Sequence, residues 1–255
     1  MSLEIIKKLR DETGAGMVDI KNALEEAGGS EAKAVEILRK SGQKIAAKKS
    51  GRSTAEGVIA LERSGQRIAA VVLACETDFV ARNENFVRAA RDFAKKLLNT
   101  PAADFKSWAE AEIQNNLIVK IGENIQLKEF VVIQGEVLGS YLHSNSKAAA
   151  VVVLEGGDEA KAKEVAMQAV AMNPSYLGPE DVPAEILEKE KEIYREQLKK
   201  EGKPAEMIEK ILTGKIQKFY AEVCLVKQPY IKDDKISVEK FLGGAKIKEF
   251  RRFSL

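Results

Sequence analysis

Ile68-Ala69-Ala70-Val71-Val72-Leu73-Ala74-Cys75-Glu76-Thr77-Asp78-Phe79-Val80-Ala81-Arg82-Asn83 joins an apolar run to the start of a helical pattern. Residues 68–73 read as a buried strand, and the periodicity from about Asn85 predicts a helix. Such junctions normally take small polar turn residues, yet this one carries Phe79 and Val80 beside Asp78. Two readings follow. Both apolar residues tuck under the next helix as a hydrophobic staple, or the aromatic is a rigid anchor offered to a pocket on another protein.

Working outward, Gly57-Val58-Ile59-Ala60-Leu61, a turn at Arg63–Gln66, the apolar run and the helix form one hairpin-plus-helix unit. Gly139-Ser140-Tyr141-Leu142-His143, a turn at Ser144-Asn145-Ser146, the run Ala148 to Leu154 and a helix from about Asp158 form a second. The pair reads as a degenerate duplication in an α+β fold. At its junction the second copy has Glu155-Gly156-Gly157-Asp158-Glu159, ordinary loop chemistry. Were an aromatic required there by the fold, both copies would carry one; only the first does.

The 255 residues suffice for one large or two ordinary domains. Charged residues make up 31% but nearly cancel, to +2, so no net field draws the chain to nucleic acid or membrane. Met1-Ser2-Leu3-Glu4 lacks a signal-peptide layout and no apolar run approaches a membrane span, so a cytoplasmic location is expected. Cys75 and Cys224 are isolated in apolar segments and read as buried free thiols rather than a disulfide. His143 is the single histidine, and no Gly-x-Ser-x-Gly accompanies it. Nothing shows metal-ligand spacing, a glycine-rich phosphate loop after a strand, or a carboxylate pair that stands out. A protein acting by contact is expected, without catalytic residues, metal or cofactor.

Residues 1–53 read as a helical module and basic linker. Ile5, Ile6 and Leu9, then Met17, Ile20 and Leu24, then Ala34, Val35 and Leu38 form three apolar stripes, broken at Thr13-Gly14-Ala15-Gly16 and at Gly28-Gly29. So small a bundle is a docking module or a lid packed on the rest. Ser41 to Arg52 predicts a basic, partly helical linker; Lys44, Lys48, Lys49 and Arg52 lack the interleaved aromatics of an RNA-binding strip. Residues 54–138 are the first core subdomain, with helices from Asn85 to Leu98 and Asp104 to Ile121, a turn at Gly122-Glu123-Asn124 and a strand from Ile125 to Gln134. Phe105, Trp108 and Leu117 are its core candidates. Residues 139–182 begin the second subdomain. Residues 183–226 hold two charged helices with narrow apolar stripes, an inserted antiparallel helical hairpin. Residues 227–255 return to the second subdomain, with a helix near Ser237 to Leu242 and a short final segment.

These pieces resemble the bacterial elongation factor Ts family, the guanine-nucleotide exchange factors of elongation factor Tu, over essentially the whole chain. Leu9-Arg10, Thr13-Gly14-Ala15-Gly16-Met17 and Asp19-Ile20-Lys21-Asn22-Ala23-Leu24 are similar to the family's first signature, and Thr77-Asp78-Phe79-Val80 to its second. Lys40-Ser41-Gly42 with Ala46-Ala47-Lys48-Lys49, Lys120-Ile121-Gly122-Glu123-Asn124, Leu138 to His143 and Gly202-Lys203-Pro204 follow in order. The resemblance implies a ubiquitin-associated-like three-helix module, a two-subdomain core and an antiparallel coiled coil. It implies that Thr77 to Val80 press on the switch region of elongation factor Tu, with Phe79 in an apolar slot and Asp78 disturbing the groups that hold Mg²⁺. Lys21, Arg82 and His143 are then partner contacts. Elongation factor Tu, GDP-bound and nucleotide-free, is the implied partner; direct nucleotide binding and specific nucleic-acid binding are not implied, and a homodimer through the coiled coil is allowed. Two departures stand out. Val72 and Ala74 replace a Glu and an Asn usual in the family, so hydrogen bonds bracing the loop must come from elsewhere. The chain also ends soon after Phe250-Arg251-Arg252-Phe253, where many relatives continue into a further helical module. A coiled-coil scaffold and an RNA-binding factor using Lys44 to Arg52 are the competing classes.

Overall fold

The computed structural model describes residues 2–255 apart from the side chains of Ile45 and Ala46; Met1 of the expected module and the Ala46 side chain of the quoted motif lie outside the described residues. The fold is α+β, in two compact units. One comprises the chain up to Ile133 with Asn145–Lys147 and Ser254–Leu255, the other Gln134–Ser144 with Ala148–Phe253.

The first unit opens with three helices, α1 (Leu3–Thr13), α2 (Met17–Glu26) and α3 (Glu31–Lys49). Ile6, Leu9, Ile20, Leu24, Ala34 and Leu38 close their small core. Most of the expected linker, Ser41 to Lys49, is instead the second half of α3, because Ser41-Gly42 contains no proline and does not stop the helix. Gly42 serves close approach: a Cβ there would lie 2.3 Å from Val119 Cγ2. Gly14 ends α1 in the left-handed region at φ 70, and a Cβ there would lie 2.2 Å from Lys120 Cγ. Side-chain-free backbone at both points seats the three helices on the segment 118–121, and Gln43 Nε2 donates to Asn115 Oδ1 at 2.8 Å.

β1 (Glu56–Ser64) and β2 (Arg67–Cys75) form an antiparallel hairpin, in register from Glu56↔Cys75 to Ser64↔Arg67. β3 (Gln126–Gln134) lies beside β2. A helical turn, α4 (Asp78–Ala81), follows β2, and then α5 (Glu84–Leu98) packs on the hairpin. The helix expected over 104–121 is α6 (Ala102–Glu112), a π-helical stretch at Ile113–Leu117 and α7 (Ile118–Ile121). Val71, Leu73, Phe86, Phe93 and Phe105 are buried, with Trp108 packed against them.

The second unit repeats the plan. β4 (Val137–Leu142) and β5 (Ala148–Glu155) pair antiparallel, and α8 (Glu159–Met172) follows. Then come α9 (Ala184–Lys200) and α10 (Ala205–Val223), β6 (Pro229–Tyr230), β7 (Asp233–Ser237), α11 (Val238–Leu242) and β8 (Lys246–Ser254). β8 is the third strand, beside β5, where the sequence suggests only a short end. Its buried positions are Ile247 and Phe253, among lysines and arginines, so the pattern resembles a charged tail. In the helical hairpin, Leu198, Ile208, Leu212, Ile216 and Phe219 are buried, and Arg195 Nε meets Glu209 Oε1 at 3.0 Å. Cys75 and Cys224 are free and buried; burial first of all pushes their thiols up, to about 12 and about 11. Among the described residues no helix is long and apolar enough to cross a membrane.

Candidate functional site

The β2–α5 junction is a rigid, non-local construction. Thr77 is extended (φ −122, ψ 155) and caps α4, its Oγ1 accepting from Val80 N at 3.4 Å. Ala81 is buried and Val80 half-buried on the first unit's core. One turn of helix distributes its side chains around the axis, so with Val80 and Ala81 inward Phe79 points out and is 84% exposed. The staple reading therefore holds for Val80 and fails for Phe79. Asp78 Oδ2 meets Arg82 at 3.1 Å, the two side chains 42% and 82% exposed. Asn83 then caps α5, accepting from Asn85 N at 2.9 Å.

The brace comes from the turn between α7 and β3. Glu123 Oε2 accepts from the backbone N–H groups of Glu76 and Thr77, both at 3.0 Å, and Oε1 accepts from the Thr77 hydroxyl at 2.5 Å. Next to it, Asn124 N donates to Glu76 Oε1 at 2.7 Å. Asn124 itself is 2% exposed, its amide donating to the carbonyls of Ser50 and Arg52. Arg52 reaches the Glu76 carboxylate at 3.4 Å, and Lys49 Nζ donates to the Gly122 carbonyl. The Asn124 N–H, assisted by Arg52, holds the Glu76 carboxyl below the usual range. Val72 and Ala74 are buried in β2; the support that the sequence requires from elsewhere is supplied by Glu123 and Asn124. Neither has this role in the sequence reading, where Gly122-Glu123-Asn124 is a turn within a stretch that resembles the family's. No local pattern links Glu123 to Thr77, its partner 46 positions away.

The other expected site residues lie on separate elements. Lys21 is exposed on α2, one turn from Met17 and Val18, which are 55% and 70% exposed. At i, i+3 and i+4 these three share a face, so an apolar pair joins the lysine. His143 follows β4 in the second unit and is exposed; its N–H donates to the Ala148 carbonyl at 2.9 Å and its ring stands edge-on to Tyr141. Among the described residues no group of three or more His, Cys, Asp or Glu is placed to hold a metal ion.

Comparison with known proteins gives the family. The family model described as Elongation factor TS matches residues 76–255. The chain is 41% identical to the elongation factor Ts of Deinococcus deserti, covering 99% of each chain. It is likewise 41% identical to that of Deinococcus radiodurans, covering 99% of each. With the elongation factor Ts of Francisella tularensis subsp. novicida it shares 42% identity over 100% of this chain and 92% of the relative. On the strength of the family match and of relatives aligned along almost their whole length, the chain belongs to the elongation factor Ts family of translation elongation factors.

Proposed function

We propose that this protein releases GDP from elongation factor Tu, with the Thr77–Val80 turn as the working part. The observation that carries the reading is an exposed Phe79 on a braced helical turn, in a chain whose second copy of the same unit lacks it. Phe79 enters an apolar slot near the switch region. Asp78 disturbs the groups around Mg²⁺, whose charge with the phosphate loop holds the nucleotide. Arg82, on the same turn, supplies a peripheral charge. Lys21 with Met17 and Val18 forms a second contact, and His143 a third from the second unit.

The energetics demand several contacts. Only stronger binding of the empty GTPase than of the filled one accelerates release. An acceleration of roughly 10³- to 10⁵-fold corresponds to about 4–7 kcal/mol, of which one aromatic anchor contributes about 2–4 kcal/mol. The three-helix module, read as ubiquitin-associated-like, and the second unit contribute the remainder. The helical hairpin is read as an antiparallel coiled coil, able to join two copies. The protein binds GDP-loaded elongation factor Tu, stabilises the nucleotide-free form until GTP enters, and makes and breaks no bonds. It holds no nucleotide of its own and works in the cytoplasm. The test is release of fluorescent GDP from elongation factor Tu at sub-stoichiometric amounts of this protein. Release with many turnovers supports exchange. A spontaneous rate, from folded protein that still binds its partner, contradicts exchange and leaves a scaffold.

A further inference from the structure

We propose that Glu123 is the positioning residue for Phe79, and that the Gly122–Asn124 turn makes the presentation of Phe79 depend on the end of α3; this rests on the exchange reading above. A four-residue helix is too short to be stable by its own hydrogen bonds. Phe79, 84% exposed, has little packing of its own to aim it, so its direction is that of the α4 backbone. Apolar contacts of Val80 and Ala81 hold one side of that turn. On the other side one carboxylate accepts from Glu76 N, Thr77 N and Thr77 Oγ1, and the Cys75 thiol donates to the Thr77 carbonyl at 3.3 Å. Bonds to an ionised acceptor are roughly twice as strong as neutral ones.

The hydroxyl bond also sets the cap. With its proton directed at Glu123, Thr77 Oγ1 turns a lone pair toward Val80 N–H. Removing the carboxylate frees that hydroxyl to rotate and leaves two backbone donors without it. Asn124 extends the chain of support: its backbone N–H fixes Glu76 while its side chain holds the carbonyls of Ser50 and Arg52, just beyond α3. The Thr77–Val80 turn and the end of the third helix thus share one three-residue turn.

The test compares Glu123→Ala, Glu123→Gln and Thr77→Val with the wild type by kcat and KM for GDP release, and by amide hydrogen exchange of residues 76–81 in the free protein. Glu123→Ala lowers kcat about tenfold with KM within about threefold, the signature of a contact made after initial binding. The Glu76 and Thr77 amides exchange at least about tenfold faster. Glu123→Gln keeps kcat within about threefold, because its amide oxygen accepts from both backbone groups and its NH₂ donates to Thr77 Oγ1. Thr77→Val, which loses one of the three bonds to Glu123 together with the Val80 N–H cap, gives an intermediate loss of about threefold. Wild-type kcat in Glu123→Ala overturns the proposal, as does a lowered melting temperature with kcat per folded molecule preserved. If Glu123→Ala does not fold, an unchanged kcat in Thr77→Val overturns it. If the wild type itself releases no GDP, the exchange reading falls and amide protection alone decides: its loss on removing the carboxylate upholds the brace, and unchanged protection refutes it.

Discussion

Two strand-to-helix junctions in one chain do the same topological job by different means. Between β5 and α8, Gly156 and Gly157 turn at φ 76 and 75, and Asp158 caps the helix, accepting from Lys161 N at 2.8 Å. The turn and the cap are local, and beyond them Lys161 Nζ donates to the Leu242 carbonyl at 3.0 Å. Between β2 and α5 the chain inserts a helical turn, leaves a phenylalanine in solvent and draws a carboxylate from 46 residues away to hold it. A fold that can close the second junction with two glycines and a cap has no need of this apparatus at the first. That excess structure is what supports the proposed role of the Thr77–Val80 turn.

The comparison is broken most severely by mixing up its phenylalanines. Phe86, buried at the start of α5, is core: Phe86→Ala should cost about 3–5 kcal/mol in urea unfolding. Phe79→Ala should stay within about 0.5 kcal/mol of wild type. A loss above about 2 kcal/mol at Phe79 would mean that the ring packs on the protein in solution. Next in size, Asp158→Ala removes a helix cap and should cost about 1 kcal/mol while leaving GDP release unchanged per folded molecule. Thr77→Ala removes the corresponding cap of α4, and should lower release as well as stability; equal release from both variants would erase the distinction between the junctions.

A smaller effect concerns acid. The Glu76 carboxyl is held below its usual range by the Asn124 N–H and then by Arg52, so the folded protein binds that proton more weakly than the unfolded chain. Its stabilisation is complete above the ordinary carboxylate range and is lost as pH falls through the lowered value. The stability difference between wild type and Glu76→Gln should therefore be largest near neutrality and close on acidification; a difference that grows in acid reverses the sign. Smallest of all, Arg82→Ala breaks an exposed pair with Asp78 and should leave the unfolding midpoint unchanged, while making partner association slower and less salt-sensitive.

Much of the fold was legible because its signals are local. The apolar runs of β2 and β5, the helical spacing of α5 and α8, and the turn residues between α9 and α10 each show within a few positions. The repeated order of these elements exposed the odd aromatic at Phe79. Other features depend on distant partners. The charged β8 becomes a strand only by lying against β5, and α3 continues past Ser41 where Gly42 meets Val119. The π-helical stretch at Ile113–Leu117 leaves the apolar spacing of an ordinary helix nearly intact. At the site, Phe79 was readable as an oddity of composition. Glu123 was not, because an acid in a turn usually binds water or its own loop, and only the folded chain brings Thr77 to it.

The central claim is that the exposed ring acts on a partner and not on the fold. The most direct test is stopped-flow release of labelled GDP from elongation factor Tu by wild type and Phe79→Ala, alongside urea unfolding of each. The account predicts at least a tenfold fall in kcat, about 1.4 kcal/mol or more of lost stabilisation, with the unfolding midpoint unchanged. Undiminished release by Phe79→Ala would contradict it.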